Sequence, residues 1–190
     1  LDESFKPLGS AGQFFRKTDR QTPCNLALLI GHNTARASVS GSANRPLTDA
    51  EMTRMLNLME DGLKEGACGI SLGLMYDPGL YAPREELLAI ARLCERYDRP
   101  LAVHARALSK VSMAYKQLLG RPHLLRALDE LHDLASGSRL KLHYSHAIFV
   151  GRRSFAAKDE VIRIIDQMAS EGIDIGFDIY HETLGVTVIT

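Results

Sequence analysis

Cysteine is scarce. There are three in 190 residues, Cys24, Cys68 and Cys94, an odd number with no close pairing. That excludes a disulfide-stapled scaffold and fits a reducing compartment, so a cytoplasmic protein is expected. Net charge is missing as well. Lys+Arg and Asp+Glu both number 23, which leaves no electrostatic footprint for nucleic acid or an anionic membrane surface. No apolar run approaches the ~20 residues that span a bilayer. Low-complexity linkers, sequence repeats and a nucleotide-binding glycine fingerprint are absent too. The opening Leu1-Asp2-Glu3-Ser4 is neither a signal peptide nor preceded by an initiator Met. The close, Gly185 to Thr190, reads as structured sequence that stops. Residues 1–190 are therefore expected to be the central part of a longer chain.

What is present is an ordinary globular balance, 45% hydrophobic and 24% charged, in a chain long enough for one sizeable core. Residues 1–22 are polar, with Phe5 and Phe14-Phe15 as anchors and a short helix around Gln13–Arg16. Five short apolar runs follow, starting near residues 26, 69, 101, 140 and 173. Between them lie amphipathic stretches. Thr48-Asp49-Ala50-Glu51 is a capping box ahead of Met52, Met55, Leu56, Met59 and Leu63 at helical spacing. Pro83 starts a helix with Leu87, Ile90, Ala91 and Cys94 on one stripe. A third helix, near 122–136, carries Leu124, Leu128, Leu131 and Leu134, with His123 and His132 solvated. A fourth, near 157–171, carries Val161, Ile164, Ile165 and Met168. Residues 33–47, rich in Ser, Ala, Asn and Gly, read as a long loop. The stretch from Ala107 to Pro122 is long enough for an added helix around Val111–Leu119.

Strict β–α alternation predicts a parallel sheet with right-handed crossovers. Without a dinucleotide fingerprint, the pattern favours an α/β fold that is a partial (β/α)8 TIM-type barrel of about five parallel βα units. In such folds the chemistry sits at the carboxyl ends of the strands. Two runs end there in histidine: Leu101-Ala102-Val103-His104-Ala105-Arg106 and Leu142-His143-Tyr144-Ser145-His146. Alternation puts Ala102, His104 and Arg106 on one side of their strand, and Leu142, Tyr144 and His146 on one side of theirs. Two imidazoles from different strands suggest metal ligands. On spacing alone, unrelated polar strand ends remain an equal alternative. His32, after the first run, reads as a ligand-facing group or as a histidine in a glycine-bounded loop. Cys68, at a strand start, reads as core.

Several of these stretches together resemble a family. They are Ala27 to His32, then Gly66-Ala67-Cys68-Gly69-Ile70-Ser71-Leu72-Gly73-Leu74-Met75-Tyr76, then Val103 to Arg106, then Tyr144-Ser145-His146, and last Asp178-Ile179-Tyr180. In order and spacing they are similar to N-acyl-D-amino-acid deacylases (D-aminoacylases), metal-dependent enzymes of the amidohydrolase superfamily. The resemblance runs over roughly residues 25–185 and implies strands three to seven of the barrel.

It further implies that His104 and His146 match the family's metal-binding histidines on the fifth and sixth strands, with zinc as the cofactor. The family's early His-x-His pair, second-strand cysteine and late aspartate have no counterpart in this chain, so no catalytic residue is assigned within it. The implied reaction is hydrolysis of a linear amide C–N bond in an N-acyl amino acid or related small amide. Arg106 becomes a candidate for the substrate carboxylate, with an ion pair to a neighbouring loop as its alternative, and Tyr180 a candidate donor to substrate. There are departures. Ile148 stands where relatives tend to have lysine, and Tyr180-His181-Glu182 replaces a Tyr-Pro-Tyr run.

Two rivals stay open: a metal-independent barrel enzyme using His104 as base, and a non-catalytic barrel segment. A partial barrel also leaves unpaired sheet edges, so self-association is expected.

Overall fold

The computed structural model describes residues 9–116 and 120–182. Ser10 caps α1 (Ala11–Thr18) in a reciprocal box with Gln13, making this helix longer than its sequence suggests. Phe5, the other expected anchor, lies outside the described residues.

Five strands follow: β1 (Leu29–Gly31), β2 (Gly69–Gly73), β3 (Leu101–His104), β4 (Lys141–Ser145) and β5 (Asp174–Phe177). They form one sheet in the order β1-β2-β3-β4-β5, and every neighbouring pair is parallel. The order never reverses. A doubly wound sheet reverses at its switch point, whereas a (β/α)8 barrel adds each strand beside the last. The sheet is thus five consecutive units of a barrel.

Burial alternates along the central strands. Ile70, Leu72, Leu101, Val103, Leu142 and Tyr144 are buried, while Ser71, Ala102, His143 and Ser145 between them are half-exposed. The buried row packs against helices α3 (Asp49–Lys64), α4 (Arg84–Arg96), α5 (His123–Ala135) and α7 (Lys158–Ser170). From these helices Met55, Met59, Leu87, Ile90, Leu128, Leu131, Val161 and Ile165 complete the core. The methionines of α3 are core, as their spacing implies. Thr48 caps that helix as expected, its hydroxyl accepting from Glu51 N–H while Glu51 takes Thr48 N–H.

Several expectations are corrected. Residues His32–Ser40 form a helix, α2, instead of a loop. Its small residues Ala35 and Ala37 are buried with a polar cluster: Glu86 Oε1 receives His32 Nε2 at 2.7 Å and Arg36 Nε at 2.9 Å, all three residues being 0% exposed. The Arg36 guanidinium also donates to the Ala43 and Arg45 carbonyls, pinning the following loop. So His32 starts a helix and faces a core glutamate; it neither faces a ligand nor sits in a glycine-bounded loop. Residues 111–116 are turns and bends with no helix, and 117–119 lie outside the described residues. His123, expected to be solvated, is 1% exposed; its Nδ1 accepts the Ser112 N–H at 2.8 Å. A short helix, α6 (Arg152–Phe155), was not anticipated.

Candidate metal and substrate site

β3 ends in His104, and its register partner on β2 is Gly73. The glycine leaves room there: a side chain on it would meet Asn33 and Tyr76. Gly79, in the 3-10 turn Gly79–Tyr81, has no space for a Cβ against the Asn33 amide and the Gly73 carbonyl. These two glycines let the loop after β2 fold back, and Tyr76 lies at 4.9 Å, ring centre to ring centre, from His104. His104 Nε2 is buried and has no hydrogen-bond partner. Burial, reinforced by the neighbouring His146 ring, pushes its pKa down to about 4, so the ring is neutral near pH 7.

His146 reaches the same place by a different route. β4 ends at Ser145, paired with His104. Leu142 and Tyr144 face the helices, so continued alternation would send His146 the same way. Instead its backbone turns into the left-handed region, φ 59°. The ring then stands 5.3 Å from that of His104, edge to face, and 5.0 Å from Tyr180. The two strand-end histidines do converge, but by a backbone turn and not by simple alternation.

Asp178, just past β5, braces this edge. Oδ2 receives His143 Nε2 at 2.7 Å, and Oδ1 receives His146 N–H at 3.0 Å and His146 Nδ1 at 3.2 Å. Burial pushes its carboxyl upward, but the His143 hydrogen bond, the His146 N–H and the two rings' charge outweigh that and hold it below the usual range. His143 is a site residue that the sequence reading passed over. The signal was in the alternation: on a strand whose Leu142 and Tyr144 are apolar, the opposite row is Lys141, His143 and Ser145.

Arg106 does not border the opening. β3 stops at His104, so the assumed alternation does not extend to it. Arg106 is 6% exposed, and its guanidinium holds Glu130 of α5 at 3.0–3.1 Å, Leu80 O at 2.7 Å and Ala82 O at 3.1 Å. The ion-pair alternative describes the geometry. Cys68 sits before β2, at the opposite end of the sheet, with Sγ on Leu28 O at 3.3 Å.

As a metal site the arrangement is partial. A neutral, buried imidazole with an unpartnered nitrogen beside a second imidazole suits a divalent cation. Yet among the described residues no group of three or more His, Cys, Asp or Glu side chains is placed to hold one.

No protein-family model matches the chain. Curated relatives do. D-aminoacylase from Alcaligenes xylosoxydans xylosoxydans is 28% identical over 90% of this chain and 33% of its own length. N-acyl-D-aspartate deacylase from the same organism is 27% identical over 79% of this chain and 28% of its own. N-acyl-D-glutamate deacylase from Bordetella bronchiseptica, solved with zinc and a phosphonate mimic of the tetrahedral intermediate, superposes with a TM-score of 0.80. It is 25% identical over 90% of this chain and 34% of that one. The chain is similar to the N-acyl-D-amino-acid deacylases. It spans about a third of the length of these relatives. A solved D-aminoacylase, described as defining a subset of amidohydrolases, superposes with a TM-score of 0.79 at 26% identity. An L-hydantoinase from Arthrobacter aurescens, at 0.56 and 20% identity, shares the fold. The similarity to deacylases and the five-unit barrel sheet thus agree, and zinc is found in one of the neighbours. No helix among the described residues is long and apolar enough to cross a membrane.

Proposed function

We propose that residues 1–190 are the central segment of a metal-dependent amidohydrolase barrel that hydrolyses the amide bond of N-acyl-D-amino acids. The observation that carries this reading is the buried, unpartnered Nε2 of His104 beside the His146 ring at the carboxyl edge of the sheet. In this proposal the two histidines hold a divalent metal, zinc by the relatives' example. Such an ion supplies Lewis-acid activation of a carbonyl and of water.

The chain's own groups do the rest. Burial keeps His104 neutral and able to ligate. Asp178 orients His146. Tyr76 lies against His104 and Tyr180 against His146, and Tyr180 is the candidate substrate contact. Arg106 acts through the loop it pins: its bonds to Leu80 and Ala82 hold the turn that follows Tyr76. The substrate is a small N-acyl amino acid, with neither nucleic acid nor membrane as partner. A cytoplasmic location belongs to the same reading, supported by three free cysteines.

The incomplete ligand set among the described residues supports one further part of the proposal. Residues 1–190 alone hold half a site and turn over no substrate, because zinc sites normally use three or four protein ligands. The test uses the full-length protein that carries this segment, with zinc content and deacylase activity measured for it and for His104→Ala and His146→Ala. Loss of zinc and activity together is the expected result. Unchanged zinc in both variants would remove the pair as ligands.

A further inference from the structure

Asp178 engages both its backbone groups and both carboxylate oxygens at one spot. Its N–H donates to Tyr144 O at 3.3 Å, and its carbonyl accepts from Ala147 N–H at 2.7 Å. Its carboxylate takes the main chain and Nδ1 of His146 on one oxygen and Nε2 of His143 on the other. These bonds bracket a residue in an uncommon conformation, since few non-glycine residues adopt positive φ. A carboxylate can only accept, so each ring nitrogen facing it carries the proton. For neutral His146 that leaves the lone pair on Nε2, the nitrogen a metal would use.

We propose that Asp178 is the positioning residue of this site: by holding the main chain and Nδ1 of His146, it sets both the left-handed turn and the tautomer that make this ring a ligand beside His104. The ligand role rests on the function proposed above; the turn and the tautomer do not. A carboxylate behind a ligating histidine is a general device for fixing ring orientation and raising basicity. Here it would also correct the direction in which β4 aims the residue. His143 shares the carboxylate and steadies it from the other oxygen.

The experiment reads the imidazole nitrogens of the 190-residue chain by NMR, near pH 8 and without metal. His146 is expected as the Nδ1–H tautomer. In Asp178→Ala that tautomer should be lost, while His132, paired through Nε2 with Glu171 at 2.6 Å, stays unchanged and reports an intact fold. A His146 that keeps its Nδ1–H tautomer in Asp178→Ala overturns the proposal. Should Asp178→Ala fail to fold, Asp178→Asn decides. It keeps an acceptor but not the charge, so the His146 Nδ1 resonance should move; an unmoved resonance overturns the proposal. Titration of the full-length protein that carries this segment with zinc ion separates this inference from the function it draws on. Weaker zinc binding in its Asp178→Ala variant, by about 10- to 100-fold, supports both. If the unsubstituted full-length protein binds no zinc at His146 while the tautomer result holds, the positioning stands and the metal assignment falls.

Discussion

The rings of His104 and His146 stand 5.3 Å apart, although the alternation of their strands assigns the two residues to opposite faces of the sheet. The register His104↔Ser145 makes the mismatch plain. On β4 it is His143 and Ser145 that share the row of His104, while Leu142 and Tyr144 are buried among the helices. His146 joins His104 only because the chain turns at φ 59° immediately after the strand.

That turn has an energetic signature. A left-handed conformation costs a non-glycine residue about 1–2 kcal/mol, and a β-branched one fits it poorly. His146→Gly should therefore be more stable than His146→Val by at least about 1 kcal/mol in urea unfolding. Equal midpoints would show that the turn relaxes when the ring is gone.

Arg106 offers a clean separation of roles. If it ties the β2 loop to α5, Arg106→Ala strands the Glu130 carboxylate and frees two carbonyls. The expected loss is about 3 kcal/mol, the low end for breaking a buried pair, since Glu130 keeps some contact with water. A variant as stable as the parent would return Arg106 to the list of substrate ligands.

Glu51 makes stability depend on acid. The Arg45 guanidinium holds its carboxyl far below the usual range, with help from Thr48 N–H. A depressed folded pKa stabilises fully above the unfolded value, about 4.3, and is lost as pH falls from there toward the folded pKa. The stability gap between the parent and Glu51→Gln should be constant above about pH 5 and shrink below about pH 4. A gap that does not change with pH would remove the charge from the explanation. Thr48→Ala, which removes the cap itself, should cost about 1 kcal/mol.

The cysteines should differ in reactivity. Cys24 is exposed, and Cys94 is buried, its thiol pushed up to about 12 by that burial against a weaker opposing contact from the Ile70 backbone. An aromatic disulfide reagent should label Cys24 quickly in the native chain and reach Cys94 only on unfolding. Rapid native labelling of Cys94 would contradict the packing of α4 on β2 and β3.

Among the described residues the sheet ends at two unpaired strands, and apolar groups show there. Leu29 on β1 is 37% exposed, Phe177 on β5 is 42% exposed and Ile179 beyond it 64% exposed. The 190-residue chain is expected to self-associate as its concentration rises, as seen by light scattering. Strict monomers throughout would show that these edges are too short or too twisted to pair.

Much of this was legible in the residues. The five runs, the capping box at Thr48 and the leucine and methionine stripes each carry their own periodicity, because burial on one face of a helix or strand imposes a period on sequence. Helix α2 carried no such period. Its burial depends on small residues and on Arg36 meeting Glu86, fifty positions away in the chain. For the same reason His123 looked like a surface histidine, and Arg106 read equally as a substrate ligand or as half of an ion pair. Each one's partners come from other elements, and sequence spacing does not contain them.

By itself the sequence determined the five strands and the amphipathic helices α3, α4, α5 and α7 between them, that they alternate as a parallel barrel sheet, and that two histidines stand at its carboxyl edge, since all of this follows from local periodicity and chain order. Tertiary structure alone decided that His146 turns back toward His104, that Asp178 holds it and His143 together, and that Arg106 is bound by Glu130. Those are relations between strand ends and helices, set by register, a single left-handed residue and the requirement that buried charge find a partner.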